Sequence, residues 1–160
     1  HPKQQEQIQL DTQTKQKHAT TEGPTVAVGT TSVRTLESLY WFGVKLLEGK
    51  SEEVHISKLF AYENRSSYPS RKEAMEKILT WMKMNGKQAL FGSTEIFIFP
   101  GYQYRMIDGL ITNFHQPGST LVLLIATILG EDWKKVYQEA LAKEYRFLSY
   151  GDSSLLWLNR

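Results

Sequence analysis

A chain of 160 residues, 41% of them hydrophobic, is long enough to form one domain with a substantial core. Its net charge of +2 is too small to predict nucleic-acid binding, so any RNA affinity must come from a local patch. The absence of cysteine excludes disulfides and thiolate metal sites, and the histidines show no metal-ligand spacing. The longest apolar run, 121–129, is far shorter than the roughly 20 residues of a membrane-spanning helix. We therefore expect a soluble, cytoplasmic protein.

The first 24 residues form a polar arm rich in Gln, Lys and Thr. This composition leaves a surface helix and a disordered segment equally open. Beyond the arm, β-branched residues predict a short strand at 25–28, and mixed or apolar runs predict strands within Val54–Tyr62, at Ile96–Phe99 and within Arg105–Ile111. Strands that alternate with helices predict a layered α/β domain over residues 25–160.

Apolar residues at helical spacing predict three helices, and a run that is apolar on nearly every side predicts a fourth at 121–129. Gly43 weakens the first of them in its middle. Ser70 and Glu73 predict a capping box at the start of the second. The predicted helices are Ser32–Gly49, Ser70–Gly86, Leu121–Leu129 and Glu131–Lys143, the last with Trp133, Val136, Tyr137 and Leu141 facing the core.

Three segments carry polar groups where packing alone would not require them. The turn Gly29, Thr30, Thr31 and Ser32 joins a strand to a helix, where free N–H groups and the helix dipole favour an anion. An ordinary Ser/Thr helix cap is the other interpretation. The polar loop 112–115 separates a predicted strand from a buried helix, and 144–156 combines aromatic residues, an arginine and a Gly-Asp turn.

These segments resemble one family, the S-adenosylmethionine:tRNA ribosyltransferase-isomerases of queuosine biosynthesis. The matching phrases are VAVGTTSVRTLES, FIFPGYQYRMIDGLITNFH and YRFLSYGDSSLL, in the family's order and at about its spacing. The resemblance implies that the chain is the C-terminal part of a longer enzyme. It also implies a three-layer α/β/α sandwich, with a smaller β-barrel domain encoded upstream and absent from this chain.

The resemblance further implies the reaction. S-adenosylmethionine donates its ribosyl group to 7-aminomethyl-7-deazaguanine at the wobble position of the tRNA anticodon loop, which gives epoxyqueuosine. S-adenosylmethionine is then a substrate, no cofactor is expected, and the enzyme is expected to be a monomer. The alternative is a non-catalytic RNA- or nucleotide-binding fragment whose chemistry lies in the missing N-terminal half.

The candidate catalytic residues are His115, Asp108 and Asp152, which lie within the three phrases. His115 could serve as a general base, although a lone histidine beside an apolar helix is more often structural. Asp108 and Asp152 lie beside glycines, so turn formation could explain either of them. The aromatic candidates could stack on a base and the arginines could meet phosphates. Candidate substrate-binding residues are Gly29, Thr30, Thr31, Ser32, Arg34, Tyr102, Arg105, Asn113, Arg146 and Tyr150.

Overall fold

The structure, a computed structural model, describes residues 6–11, 23–113, 120–144 and 153–158. The chain divides into two compact units, residues 1–23 with 34–97 and residues 24–33 with 98–160. Each unit contains a three-stranded sheet together with helical residues. The predicted α/β class is therefore confirmed, whereas the three-layer arrangement stays a prediction.

The described elements are short strands and longer helices, distributed along the whole chain. Two turns of 3-10 helix, Phe60–Tyr62 and Gly130–Asp132, accompany them. None of the described helices is long and apolar enough to cross a membrane. The strands are β1 (Glu6–Asp11), β2 (Val26–Val28), β3 (His55–Ile56), β4 (Ala89–Thr94), β5 (Gly109–Asn113) and β6 (Ser153–Trp157), and the helices are α1 (Thr30–Leu47), α2 (Arg71–Met84), α3 (Thr120–Leu129) and α4 (Trp133–Ala142).

The sheet of the first unit has the order β1-β4-β3. Strand β1 pairs antiparallel with β4, so the prediction of a helical or disordered arm is wrong for residues 6–11. Within β1, Gln7 is exposed and Ile8 is buried, which is the alternation of a half-buried strand. The pattern is too short to be recognised without β4, which lies about 80 residues away in sequence and supplies the hydrogen bonds.

The predicted strand at Ile96–Phe99 is displaced in the structure. The regular strand of this region is β4, which the sequence did not predict and which ends at Thr94, before the predicted segment. The Glu95 N–H donates to the Ile56 carbonyl (2.8 Å), and the Phe97 N–H donates to the Lys58 carbonyl (3.1 Å). Ile96 and Ile98 of the apolar run are buried, as predicted, but the run lies beyond the end of the regular strand. Similarly, the strand predicted within Val54–Tyr62 is shorter than expected. The structure has only the two-residue strand β3 there, followed by a 3-10 turn.

The predicted capping box at the start of α2 is confirmed. The Glu73 N–H donates to the Ser70 hydroxyl (3.1 Å), and the Ser70 N–H donates to the Glu73 carboxylate (3.3 Å). The helix then continues to Met84, close to the predicted end. The start of this helix could be predicted from four neighbouring residues because its cap is a local interaction.

Gly43, which weakens α1 by propensity, lies where α1 and α2 come close together. A Cβ built on Gly43 would lie 2.5 Å from the Ala74 carbonyl oxygen and 2.8 Å from the Ala74 Cβ. Those distances are too short for any side chain, and the carbonyl belongs to the backbone of α2. Glycine is therefore required here for the packing of the two helices, which offsets its poor helix propensity.

The sheet of the second unit has the order β2-β5-β6, with β2 parallel and β6 antiparallel to β5. Strand β5 occupies Gly109–Asn113, so the predicted strand within Arg105–Ile111 is shifted toward the C-terminus. Helices α3 and α4 occur close to their predicted positions. In α4, Tyr137 and Ala140 are buried and Leu141 is exposed. The core-facing side of the helix therefore contains Ala140 and not, as predicted, Leu141.

Candidate functional site

The two parallel strands of the second unit end at the same edge of their sheet. Val28, the last residue of β2, lies opposite Ile111, and β5 continues to Asn113. Gly29 follows β2 directly with φ +88°, and its N–H donates to the Ile111 carbonyl (2.8 Å). This φ favours glycine because a side chain would be strained there. The Gly29 turn therefore lies at the carboxyl ends of parallel strands, where open α/β sheets bind ligands.

Helix α1 begins at this edge, one residue after Gly29. The backbone N–H groups of Thr30, Thr31 and Ser32 have no carbonyl within the helix to accept them. The first such bond joins the Val33 N–H to the Gly29 carbonyl (3.4 Å). The first turn contains no acidic residue, so no carboxylate within it offsets the partial positive charge. This arrangement suits an anionic group, as the sequence predicted.

Strand β6 brings two serines beside the carboxyl end of β5. The Ser153 hydroxyl donates to the Asn113 side-chain oxygen (2.8 Å), and the Ser154 hydroxyl donates to the Thr112 carbonyl (3.4 Å). Asn113 was a sequence candidate, whereas Ser153 was not. The only sequence signal for Ser153 was its place in the phrase YRFLSYGDSSLL. The pair extends the polar edge away from the Gly29 turn.

Asp108 lies at the opposite edge of the same sheet, where the amino ends of β2 and β5 are found; it directly precedes β5. Its carboxylate oxygen Oδ2 accepts the Thr25 N–H (2.8 Å), and its own N–H donates to the Thr25 carbonyl (2.7 Å). Its carbonyl accepts the Leu158 N–H (3.0 Å). Asp108 thus joins the amino ends of β2 and β5 to the end of β6. Strand β5, which advances about 3.3 Å per residue, separates it from the carboxyl edge that carries Asn113.

Tyr102 and Arg105 lie away from the carboxyl edge. Tyr102 is buried, with its ring edge-on to Tyr104 at a centroid distance of 5.1 Å, and the Tyr104 hydroxyl bonds the Thr127 hydroxyl at 2.5 Å. Arg105 lines a cavity of about 370 Å³ with these residues and with Leu158, which bonds Asp108. The candidates discussed so far therefore lie toward opposite ends of the strands of one sheet. Packing against Tyr104 accounts for much of the burial of the Tyr102 ring.

The remaining candidates cannot be assigned a place at either edge. Arg34 lies on α1, is half-buried, and belongs to the first compact unit. Its role in substrate binding stays a prediction. Four other candidates, His115, Arg146, Tyr150 and Asp152, lie outside the described residues.

The described part of the carboxyl edge offers hydrogen-bond donors, hydroxyls and one amide. These groups bind and orient a ligand but do not exchange protons near neutral pH. Among the residues that the structure describes, no group of three or more His, Asp or Glu is arranged to hold a metal ion. The chemistry of this edge, taken from the described residues, is that of a binding site for a polar or anionic group.

Taken together, a parallel strand pair, a glycine turn into a helix and a polar carboxyl edge define a protein of the α/β class with a candidate ligand-binding edge. The sequence model of the queuosine biosynthesis protein family matches residues 1–156, and the chain belongs to that family. The resemblance seen in the three phrases is thereby confirmed.

Curated relatives and a solved structure agree with this family. A protein of Dinoroseobacter shibae is 54% identical over 70 residues, covering 43% of this chain and 20% of its own length. One of Legionella pneumophila (strain Corby) is 59% identical over 64 residues, covering 39% and 19%. Both are named S-adenosylmethionine:tRNA ribosyltransferase-isomerase. The crystal structure of an S-adenosylmethionine tRNA ribosyltransferase from Thermotoga maritima is 30% identical, with a TM-score of 0.59, over 92% of this chain and 39% of its own.

Proposed function

We propose that this chain forms the C-terminal part of an S-adenosylmethionine:tRNA ribosyltransferase-isomerase. Membership of the queuosine biosynthesis family and the names of the relatives support this function. The structural observation that carries it is the Gly29 turn, which presents the first-turn N–H groups of α1 at the carboxyl edge beside β5. Both proposed substrates bring an anion to such an edge, the methionine carboxylate of S-adenosylmethionine or a phosphate of tRNA.

In the proposed reaction S-adenosylmethionine is consumed as a substrate. The sulfonium acidifies the adjacent C5′ hydrogens of the ribose, and a base removes one of them as the sugar opens and adenine leaves. The aminomethyl nitrogen of 7-aminomethyl-7-deazaguanine then attacks the opened ribosyl group. Methionine leaves as the epoxide closes, which gives epoxyqueuosine in the tRNA. His115, Asp108 and Asp152 are the proposed candidates for the base. Of these, Asp108 lies at the amino ends of β2 and β5, away from the carboxyl edge that is proposed to hold the substrate.

The reaction is tested by following the ribosyl carbons. The complete gene product is incubated with S-adenosylmethionine labelled in its ribose and with tRNA that contains 7-aminomethyl-7-deazaguanine. Mass spectrometry of the digested tRNA should then show a labelled epoxyqueuosine nucleoside. Parallel reactions with methyl-labelled S-adenosylmethionine should leave the tRNA unlabelled. Methyl transfer to the tRNA, or intact enzyme that gives no ribosyl product, would contradict the proposed function.

The 160 residues by themselves are expected to show negligible ribosyl transfer. The matched part of the Thermotoga maritima structure is only 39% of that chain, and a site loses its positioning when part of it is removed. Single-turnover assays of the 160-residue chain and of the complete gene product, at equal concentration, check this expectation. Equal rates for the two would show that these residues hold the whole site.

Replacing Arg34 by alanine is expected to weaken the binding of one substrate by about 1–3 kcal/mol, as for a charge-assisted hydrogen bond. Calorimetry on the complete gene product would measure S-adenosylmethionine and tRNA separately. Lys135→Ala on α4 is the matched control, because it removes a cationic side chain that is largely exposed. If Arg34→Ala binds both substrates as the parent protein does, Arg34 has no role in recognition.

A further inference from the structure

Helix α2 and the turn that ends it form a basic segment of the first compact unit. Residues 71–87 contain five basic and two acidic residues, a net charge of +3, whereas the whole chain has a net charge of only +2. Both acidic residues precede Lys77. From there to Lys87 the segment contains three exposed lysines, the third being Lys83, and no carboxylate. This helix therefore provides the local positive patch that RNA affinity requires.

A groove of about 510 Å³ lies beside these lysines, within the same compact unit. One wall is α2, where Lys77, Trp81 and Met84 follow one another at helical spacing along one side. The other wall consists of Leu46, near the end of α1, and of residues 49–52, which follow that helix. A volume of this size falls within the range of ligand-binding pockets, about 300–1,000 Å³.

Trp81 gives the groove an aromatic wall with an unused hydrogen-bond donor. The residue is 8% exposed, and its ring lies edge-on to that of Phe42 at a centroid distance of 5.3 Å. The ammonium of Lys87 lies 5.7 Å from the centre of the Trp81 ring. The indole N–H is buried and meets no acceptor among the described residues. Since an unpaired buried donor costs free energy, a ligand that supplies an acceptor is favoured here.

The carboxylates near the groove leave the charge of α2 largely intact. The Lys50 ammonium lies 2.9 Å from the Glu48 carboxylate and 3.0 Å from that of Glu63, so those two acidic groups are already paired. Glu52 is the one acidic residue of the groove lining, and it lies on the wall opposite α2. An anionic ligand would therefore meet the lysines on the α2 side.

We propose that this groove binds the tRNA substrate at a second place, in addition to the contact at the carboxyl edge. A phosphate would lie against the lysines of α2, and an unstacked base would lie against Trp81 and Met84, where its ring nitrogen or oxygen accepts the indole N–H. Phosphates bound by lysine and bases held against aromatic side chains are the usual means of binding RNA loops. The inference rests on the proposed function, because that function makes tRNA the substrate.

The groove lies in a part of the sequence that the family phrases do not cover. The first phrase ends at Ser38 and the second begins at Phe97, and every residue of the groove lining lies between them. The phrases therefore did not indicate this site. It would add to the affinity for tRNA without taking part in the reaction itself.

Removing one charge from the groove tests the phosphate contact. In the complete gene product, Lys77→Gln is expected to weaken tRNA binding by about tenfold and to reduce the slope of log K against log salt concentration by about 1. Lys72→Gln is the matched control, because Lys72 lies on the same helix, is 74% exposed and does not line the groove. It should leave both quantities near those of the parent. Fluorescence anisotropy with labelled tRNA at several salt concentrations measures them.

Filling the groove tests the base contact independently of charge. Thr80 is exposed and lines the groove, so Thr80→Phe should place a ring where the base would lie and weaken tRNA binding by about tenfold. Leu141→Phe on α4, at a position that is 55% exposed, is the control and should bind as the parent does. The melting temperature of each variant should stay near that of the parent.

The outcomes separate this proposal from the proposed function. If the parent protein transfers the ribosyl group while Lys77→Gln and Thr80→Phe bind tRNA unchanged, the groove is not an RNA site and the function stands. Equal losses in the variants and in their controls would also overturn the groove as the binding site. A complete gene product that binds no tRNA would overturn both proposals.

Discussion

Replacing His115 by alanine is expected to lower kcat of the complete enzyme by roughly 10²- to 10⁴-fold, the usual contribution of a general base. His115 is the only histidine within the three family phrases, and an imidazole titrates near working pH. It follows Asn113 by two positions, and Asn113 ends β5 at the carboxyl edge. The described residues of that edge are donors without a titratable group. The proposed reaction requires a base that removes a C5′ hydrogen, and His115 is our candidate for that base.

The measurement combines single-turnover rates, substrate affinity and melting temperature on one preparation. His115→Ala should reduce the rate while affinity and melting temperature stay near those of the parent. His55→Ala is the control, because His55 bonds the Ser93 hydroxyl through Nδ1 (2.8 Å) and lies 3.4 Å from the Glu95 carboxylate. It should lower stability and leave the rate of the folded protein intact. If His115→Ala also lowered stability and left the rate intact, His115 would be a structural residue. The general base would then be Asp152, Asp108 or a group elsewhere.

Replacing Gly43 by alanine is expected to destabilise the protein by about 1–3 kcal/mol, the typical effect of overpacking. In an exposed helix the same change would stabilise by up to about 1 kcal/mol, since alanine has the higher helix propensity. The sign is reversed here because the added methyl group would lie 2.5 Å from the Ala74 carbonyl oxygen. That oxygen belongs to the backbone of α2, so relief requires the two helices to separate.

Chemical denaturation of the parent and the variant measures this effect. Thr80→Ala on α2 is the control, because Thr80 is exposed and alanine there raises helix propensity without a steric conflict. The control should be neutral or slightly more stable than the parent. If Gly43→Ala were also neutral or stabilising, the close approach of α1 and α2 would not be present in solution.

The candidate site shows why sequence reasoning found some of its parts and not others. The Gly29 turn was predicted because a strand, a glycine and three hydroxyl residues follow one another directly. Ser153 was not predicted, because its bond to Asn113 joins positions 40 apart in sequence. Asp108 and Asn113 were both predicted as site residues because they lie in one phrase. An extended strand places them at opposite edges, since each residue advances the chain by about 3.3 Å.

The features that the sequence by itself determined are those that depend on residues close together in the chain. The capping box at Ser70, the apolar helix α3, the α/β class and the family phrases are patterns within short segments, so interactions between close neighbours explain them. Only the tertiary structure decided that residues 6–11 form a strand and that Gly43 is required for helix packing. It alone also shows that Val28, Ile111 and Leu155 lie in register and exposed on one face of their sheet. Each of these features depends on a partner that is distant in the chain. Packing and strand pairing with that partner stabilise the structure more than local conformational preferences do.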